Sequence, residues 1–377
     1  MTNINKSKKE KWLNTAGKEY ILSAEESARI AVIKLMAIVF VVYFHSETLF
    51  MNFSDGKVIL PLPRWLYLLE TIVSGYLGRC GVPMFFLLSA VLLFKNSRSY
   101  IPTIQKKVKS ILIPYLIWNT FWIMVVIVLQ SLPFTAPYFS GTIIPHILSC
   151  SFKDWLGLYG IKPPTAAMPY ANPHCYPLWF MRDLFCTTLF FPLIGKAASK
   201  FPRLSLLLGL VLFFIPDYFP YYFPLKIAIE WFLIGAGIVR LNLRLSDLDR
   251  IPVSWLSILY VVYIILTINL HKNYINYFSI LFGIIFWFRI SKVIYDSLKM
   301  RKYFLNLSQW TFMIFVFHEL TLTSFKKVFL RMLPSETAIM LAEYLLLPIL
   351  VIVICIWTGK LLKRFLPGFY RLATGNR

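Results

Sequence analysis

Acidic residues are scarce in this chain: 17 Asp and Glu stand against 39 Lys and Arg, a formal net charge of +22 over 377 residues. Cysteine is scarcer still. Cys80, Cys150, Cys175, Cys186 and Cys355 are the only five, and their spacing fits no zinc or iron–sulfur pattern, so no metal is expected. The sequence has no glycine-rich phosphate loop, no Gly-x-Ser-x-Gly elbow, no His-Glu-x-x-His pair and no His-x4-Asp acyltransferase motif. Those absences remove P-loop nucleotidases, α/β-hydrolases and zinc metalloproteases from consideration. No fixed-period repeat or low-complexity tract is present, which excludes solenoids and disordered linkers. The first 20 residues are polar and lack an apolar core, so no cleavable signal is expected.

What the chain has in excess is apolar surface. It is 58% hydrophobic and only 15% charged, with a mean hydropathy of +0.66. A soluble domain cannot bury that much, and apolar runs reach spanning length repeatedly. The expected fold is an all-α polytopic membrane protein of about ten helices, near 29–49, 79–95, 111–131, 177–196, 203–219, 224–240, 253–270, 274–290, 305–325 and 337–358. Residues 65–78 read as an interfacial helix. With both termini on the cytoplasmic side, 27 Lys/Arg fall in inner segments and 10 in outer ones, as the positive-inside rule requires. Topology therefore accounts for the charge, and no nucleic-acid partner is expected. The organisation is a cytoplasmic segment 1–28, a membrane domain 29–358 with a long outer loop near 132–176, and a basic tail 359–377. That loop reads as a cover on the acceptor side or as a passive connector. Cys150 and Cys175 share it, and stand as two thiols or as a disulfide if the loop faces an oxidising compartment. The other three cysteines read as packing.

The residues that could carry chemistry are those that lipid would reject. Lys34 and His45 lie in the first apolar run. Eleven residues at 100° each come to three turns plus about 20°, so both share one helix face about 16 Å apart along the axis. His45 is the leading candidate for a general base, or a transient acyl carrier, because imidazole exchanges protons near neutral pH. Lys34 either snorkels to the inner headgroups or faces the same interior. Arg79 opens the second span, Arg182 and Asp183 lie in the fourth, and His318 and Glu319 in the ninth. Polar groups from several distant segments thus converge on the outer half of the bundle. Adjacent Arg182 and Asp183 point about 100° apart, which predicts separate partners for the two. Lys226 and Glu230, at i and i+4, suit a helix ion pair. His146, His174 and His271 sit in loops or at span ends and receive no role.

Five stretches resemble one family in the same order. Lys34-x10-His45 resembles the Arg-x10-His signature of the membrane acyltransferase 3 family, with an ammonium point charge in place of the guanidinium fork. Gly-Val-Pro-Met-Phe-Phe-Leu-Leu-Ser-Ala (81–90) is similar to its Gly-Val-x-x-Phe-Phe-x-x-Ser-Gly segment, with Ala90 in place of glycine. Small residues there favour close helix approach, and Ser89 offers a hydroxyl to substrate or backbone. Lys106-x-x-Lys109 stands where the family carries an Arg-x-x-Arg pair. Leu-Trp-Phe-Met-Arg-Asp-Leu (178–184) and the helix ending at His318 resemble its later motifs.

The resemblance covers about residues 29–325 and implies an integral membrane O-acyltransferase, most simply an O-acetyltransferase. The implied donor is cytoplasmic acetyl-CoA or another acyl-CoA, received near Lys34, Lys106 and Lys109. The implied acceptor is a hydroxyl of a cell-envelope glycan or lipid-linked sugar. His45, His318 and Arg182 would be catalytic, while Arg79, Ser89, Asp183 and Glu319 would hold substrate. The implied location is the bacterial cytoplasmic membrane. A polysaccharide or lipid-linked sugar exporter is the alternative that ten helices and buried charges also suit.

Overall fold

The computed structural model describes residues 19–47, 62–96, 99–139, 146–161, 172–215, 225–268, 273–334 and 336–376. The Pro163–Pro164 step and His271 lie outside them. Among the described residues the chain is helical, and the single extended feature is an isolated bridge between Tyr159 and Pro173.

Helix α1 (Ala24–His45) starts where the sequence offers a start. The Ser23 side chain accepts from the Glu26 backbone N–H and the Glu26 carboxylate accepts from the Ser23 backbone N–H, a reciprocal capping box. Downstream, Ile30, Val32, Ile33, Leu35, Met36, Ala37, Ile38, Val41 and Val42 are all buried. A helix buried on nearly every side must lie in the middle of its bundle. Accordingly α1 packs against α2 (Arg64–Phe94), α10 (Asn273–Asp296), α11 (Leu298–Ser308), α12 (Thr311–Met332) and α13 (Thr337–Phe365). At its entry the fully buried Arg29 guanidinium forks onto Asp249 at 2.7 and 2.9 Å.

Between these come α3 (Tyr100–Ser131), the short α4 (Phe152–Leu158), α5 (Tyr176–Leu189), α6 (Phe191–Lys200), α7 (Pro202–Phe214), α8 (Lys226–Arg240) and α9 (Val253–Thr267). Helix α14 (Pro367–Thr374) follows α13. Close packing depends on small residues. A Cβ on Gly235 of α8 would lie 2.5 Å from the Ala90 Cβ of α2, and one on Gly81 would lie 2.8 Å from the Ala37 carbonyl of α1. The small-residue reading of 81–90 is therefore realised, with Ala90 abutting a glycine of the neighbouring helix.

The structure departs from the expected spans in three ways. Among the described residues, five helices are long and apolar enough to cross a membrane, or six if α5 and α6 form one span bent by 63°. The bend falls at Phe190, two residues before Pro192, which cannot continue the hydrogen-bond ladder. Helices α7, α8 and α9 have 13, 15 and 15 residues, below the ~20 a straight span needs. Helix α12 has 22 residues but carries Glu319, Lys326 and Lys327. Lastly, 65–78 is not a separate interfacial helix. A π-helical turn at Thr71–Leu77 and a 3-10 turn at Gly78–Cys80 run it directly into the second span. Its polar groups are satisfied internally: Glu70 and Ser74 are buried, and the Ser74 hydroxyl bonds the Tyr43 carbonyl and Tyr344 hydroxyl, both at 2.8 Å.

Candidate active site

The histidines at the ends of two predicted motifs meet. His45, the last residue of α1, has its ring 5.4 Å from that of His318 on α12, and 6.1 Å from Tyr176 at the start of α5. His318 is fully buried. Its Nδ1 lies 3.0 Å from the Ile314 carbonyl and 2.9 Å from the Phe315 carbonyl. Carbonyls only accept, so Nδ1 carries the proton and Nε2 presents a lone pair. That Nε2 is buried and has no hydrogen-bond partner among the described residues. A buried polar atom left open invites an explanation, and a reacting hydroxyl is one that fits.

What fixes the gap between the two rings is a residue the sequence reading passed over. Lys326, 2% exposed, lies eight residues after His318 on α12. Its Nζ donates to the carbonyls of Ser46, at 3.0 Å, and Glu47, at 2.6 Å. These carbonyls follow directly on His45, where the end of a helix presents orphan acceptors and negative potential. The lysine therefore ties the His45 end of α1 to the helix that bears His318.

One turn from His318 along α12 stands Phe315. Its ring lies 5.9 Å from Phe180 of α5, which is 5.8 Å from Phe85 of α2. These three rings help line a cavity of about 780 Å³. Lys34, Lys95, Lys106, Lys107 and Lys363 line it, together with Ser89, and no acidic side chain does so among the described residues. The common face expected for Lys34 and His45 is present: Lys34 faces a cavity lined by Phe180 and Phe315, and His45 faces Tyr176 and His318, from the same two helices. The site thus comprises a lysine-lined cavity bordered by three phenylalanines and, on the same helices, a pair of histidine rings.

Several expected placements are corrected. Lys109 is exposed and is not part of the lining, whereas Lys107 is. The π-helical turn at Val108–Leu112 adds a residue to the turn and rotates Lys109 off the face that i, i+3 spacing would share with Lys106. Arg182 and Asp183 do pair, with Nε to Oδ1 at 2.7 Å. The flexible arginine stem bends back along the helix surface and cancels the 100° offset. Arg182 Nη1 also donates to the Gly160 carbonyl at 3.1 Å, so it anchors the segment after α4. There Gly160 has φ +60°, and a Cβ would lie 2.6 Å from that Nη1. Asn119 supports the same segment by donating to the Leu158 carbonyl and accepting from the Cys175 N–H.

Arg79 is exposed, with its guanidinium 5.9 Å over the Phe44 ring beside His45. Glu319 accepts from the Thr323 hydroxyl at 3.3 Å. Lys226 and Glu230 form the expected ion pair at 3.0 Å, both buried. Cys150 and Cys175 are free thiols. Just ahead of α5, burial pushes the His174 imidazole down to about 4. Sequence reasoning missed Lys95, Lys107, Lys363, Tyr176 and Lys326. Of these, only Lys326 left a usable signal, as a cation two turns beyond a candidate histidine.

The fold and site define a multi-pass helical membrane protein with a lysine-lined cavity beside a pair of histidine rings. Residues 27–360 match the acyltransferase domain model of the acyltransferase 3 family, and the chain belongs to that family. It is 27% identical over 240 residues to the succinoglycan biosynthesis protein ExoH of Rhizobium meliloti (strain 1021), a match covering 62% of this chain. The match spans 60% of that relative's length. No solved structure matches the chain.

Proposed function

We propose that the protein transfers an acyl group, most simply acetyl, from acyl-CoA to a hydroxyl of a cell-envelope polysaccharide or lipid-linked sugar. The observation that carries this reading is the pair of histidine rings 5.4 Å apart, one phenylalanine layer beyond a cavity lined by five lysines. Lys34, Lys95, Lys106, Lys107 and Lys363 suit the phosphates of coenzyme A at a cytoplasmic mouth. The narrow pantetheine arm carries its thioester past Phe85, Phe180 and Phe315 toward the imidazoles. The succinoglycan role in the relative's name supports a polysaccharide acceptor.

The chemistry needs one base and one acid. The open Nε2 of His318 takes the acceptor O–H proton as that oxygen attacks the thioester carbonyl. The C–S bond then breaks, and the departing sulfur receives a proton from the imidazolium or its neighbour His45. Tyr176, beside His45, and Arg79, over Phe44, orient the acceptor from the opposite side of the membrane. Arg182 holds the segment after α4 in place as a positioning residue, its guanidinium being engaged by Asp183 and the Gly160 carbonyl.

The test is transfer of label from acetyl-CoA to total envelope glycan, in membranes holding equal amounts of wild type and His45→Ala. Label moved by wild type and lost in the variant is the expected result. No label with wild type, in membranes that nevertheless export glycan, would transfer the assignment to an exporter. Equal label in both would leave the enzyme and remove His45 from the chemistry.

A further inference from the structure

The residues matched by the acyltransferase domain end at 360, yet the lysine cavity is walled in part by residues beyond that point. Helix α13 ends at Phe365, and Pro367 at the start of α14 turns the chain back under the bundle. Lys363, Tyr370, Gly375 and Asn376 then line the cavity together with Lys34 and Lys106.

This return is built, not loosely apposed. The buried Trp118 indole of α3 donates to the Ala373 carbonyl at 2.7 Å, and Phe369 lies 6.3 Å from the same ring system. The Lys363 ammonium sits 5.6 Å over the Trp310 ring, at the turn into α12, with Tyr370 6.5 Å from that ring. Gly375 closes the contact. It has φ +68°, and a Cβ there would lie 2.6 Å from Ser110 Cα and 2.8 Å from the Ser110 carbonyl. Only glycine permits that approach to backbone in that conformation. Ser110 directly follows the Lys106–Lys109 stretch, so the tail is pinned against the most basic side of the cavity mouth.

We propose that residues 363–376 form a wall of the donor cavity beyond the matched domain, with Lys363 as an added phosphate contact and Gly375 as the latch that holds the wall in place. The inference rests on the acyl-CoA reading of the cavity. It adds that donor affinity is set partly outside the matched domain, so a relative lacking this return would bind the same donor more weakly or grip a different part of it.

The experiment is coenzyme A binding by the purified full-length protein in lipid nanodiscs at low salt, by calorimetry. Lys363→Gln removes one charge from an exposed position and is expected to weaken binding about five-fold, the scale of one water-exposed ion contact. Arg364→Gln removes the same charge one residue away, from a side chain that does not line the cavity, and is expected to bind as wild type does. Gly375→Ala, which changes no charge, is expected to weaken binding by dislodging the wall. Should Gly375→Ala impair folding, the exposed Lys363→Gln still decides. Unchanged affinity in Lys363→Gln overturns the proposal, and so does equal weakening by Lys363→Gln and Arg364→Gln. If wild type retains no coenzyme A, the donor reading itself falls and the wall falls with it, an outcome distinct from either of those.

Discussion

Replacing Lys326 by methionine keeps the length and apolar volume of the side chain and deletes its ammonium. In the structure that ammonium holds the Ser46 and Glu47 carbonyls at 3.0 and 2.6 Å, and Ser46 and Lys326 are almost wholly shielded from solvent. Each charge-assisted bond contributes about 1.5–3 kcal/mol, and the carbonyls it leaves behind have no water to replace it. A cation at the end of α1 adds up to about 2 kcal/mol through the helix dipole. The carboxylates of Glu343, Glu70 and Glu47 also surround this lysine and lose their counter-charge. Because these effects overlap, the expected loss is that of breaking a buried pair, about 3–5 kcal/mol. That is a large part of the ~5–15 kcal/mol that usually holds a fold.

Two readouts follow. The melting midpoint in detergent should drop by several degrees, and kcat for acyl transfer should fall while KM for the donor stays near wild type, since the lysine cavity is untouched. Lys326→Arg, which keeps the charge and can bond both carbonyls, should recover most of the stability. A Lys326→Met protein that melts at the wild-type temperature would refute the clamp. One that melts lower but turns over at the wild-type rate would refute its link to the His45–His318 gap.

Further outcomes are expected elsewhere in the molecule. His318→Asn keeps a donor at the Nδ1 position for the Ile314 carbonyl but has nothing at Nε2. Transfer should fall about 10²–10⁴-fold with the melting midpoint nearly unchanged, and retained activity would remove His318 as the base. Gly235→Val places methyl groups where a single Cβ already lies 2.5 Å from Ala90. It should destabilise by about 1–3 kcal/mol, checked by the same melting assay. His174, held near pKa 4 by burial, stays neutral in the fold while the unfolded segment takes up a proton below about 6.5. The packing around it is therefore fully stable above that pH and weakens as pH falls toward 4. Hydrogen exchange at His174, whose N–H donates to the Leu158 carbonyl at 2.7 Å, should accelerate over that window, and His174→Gln should abolish the acceleration. Arg182→Lys loses the fork that reaches both Asp183 and Gly160, and should make the 146–161 segment more susceptible to limited proteolysis.

What could be read from the sequence was whatever depends on regular periodicity. The Lys34–His45 face, the Lys226–Glu230 pair and the small-residue approach at Gly81 and Ala90 all follow from helix geometry applied locally. The misreadings fall where that geometry is interrupted or where long side chains ignore it. The π turn at Val108–Leu112 exchanged Lys109 for Lys107, and Pro192 broke a span at Phe190. Arg182 reached back to a neighbour that periodicity placed out of reach. Lys326 and the return of α14 were illegible for a different reason: each is defined by partners hundreds of residues away, Ser46 for one and Trp118 for the other.

The layer of Phe85, Phe180 and Phe315 bears on the membrane as an insulator. A protein with polar chambers opening toward both faces is one water file away from being an ion leak, and a leak across an energised membrane dissipates its voltage and proton gradient continuously. Rings with centroids 5.8 and 5.9 Å apart are an apolar cluster, and a small ion would have to shed its hydration shell to pass through such a layer. Thinning the layer, as in Phe180→Ala, would ease the passage of a donor but would also open a conductance. Electrical tightness is then a demand on these rings separate from catalysis.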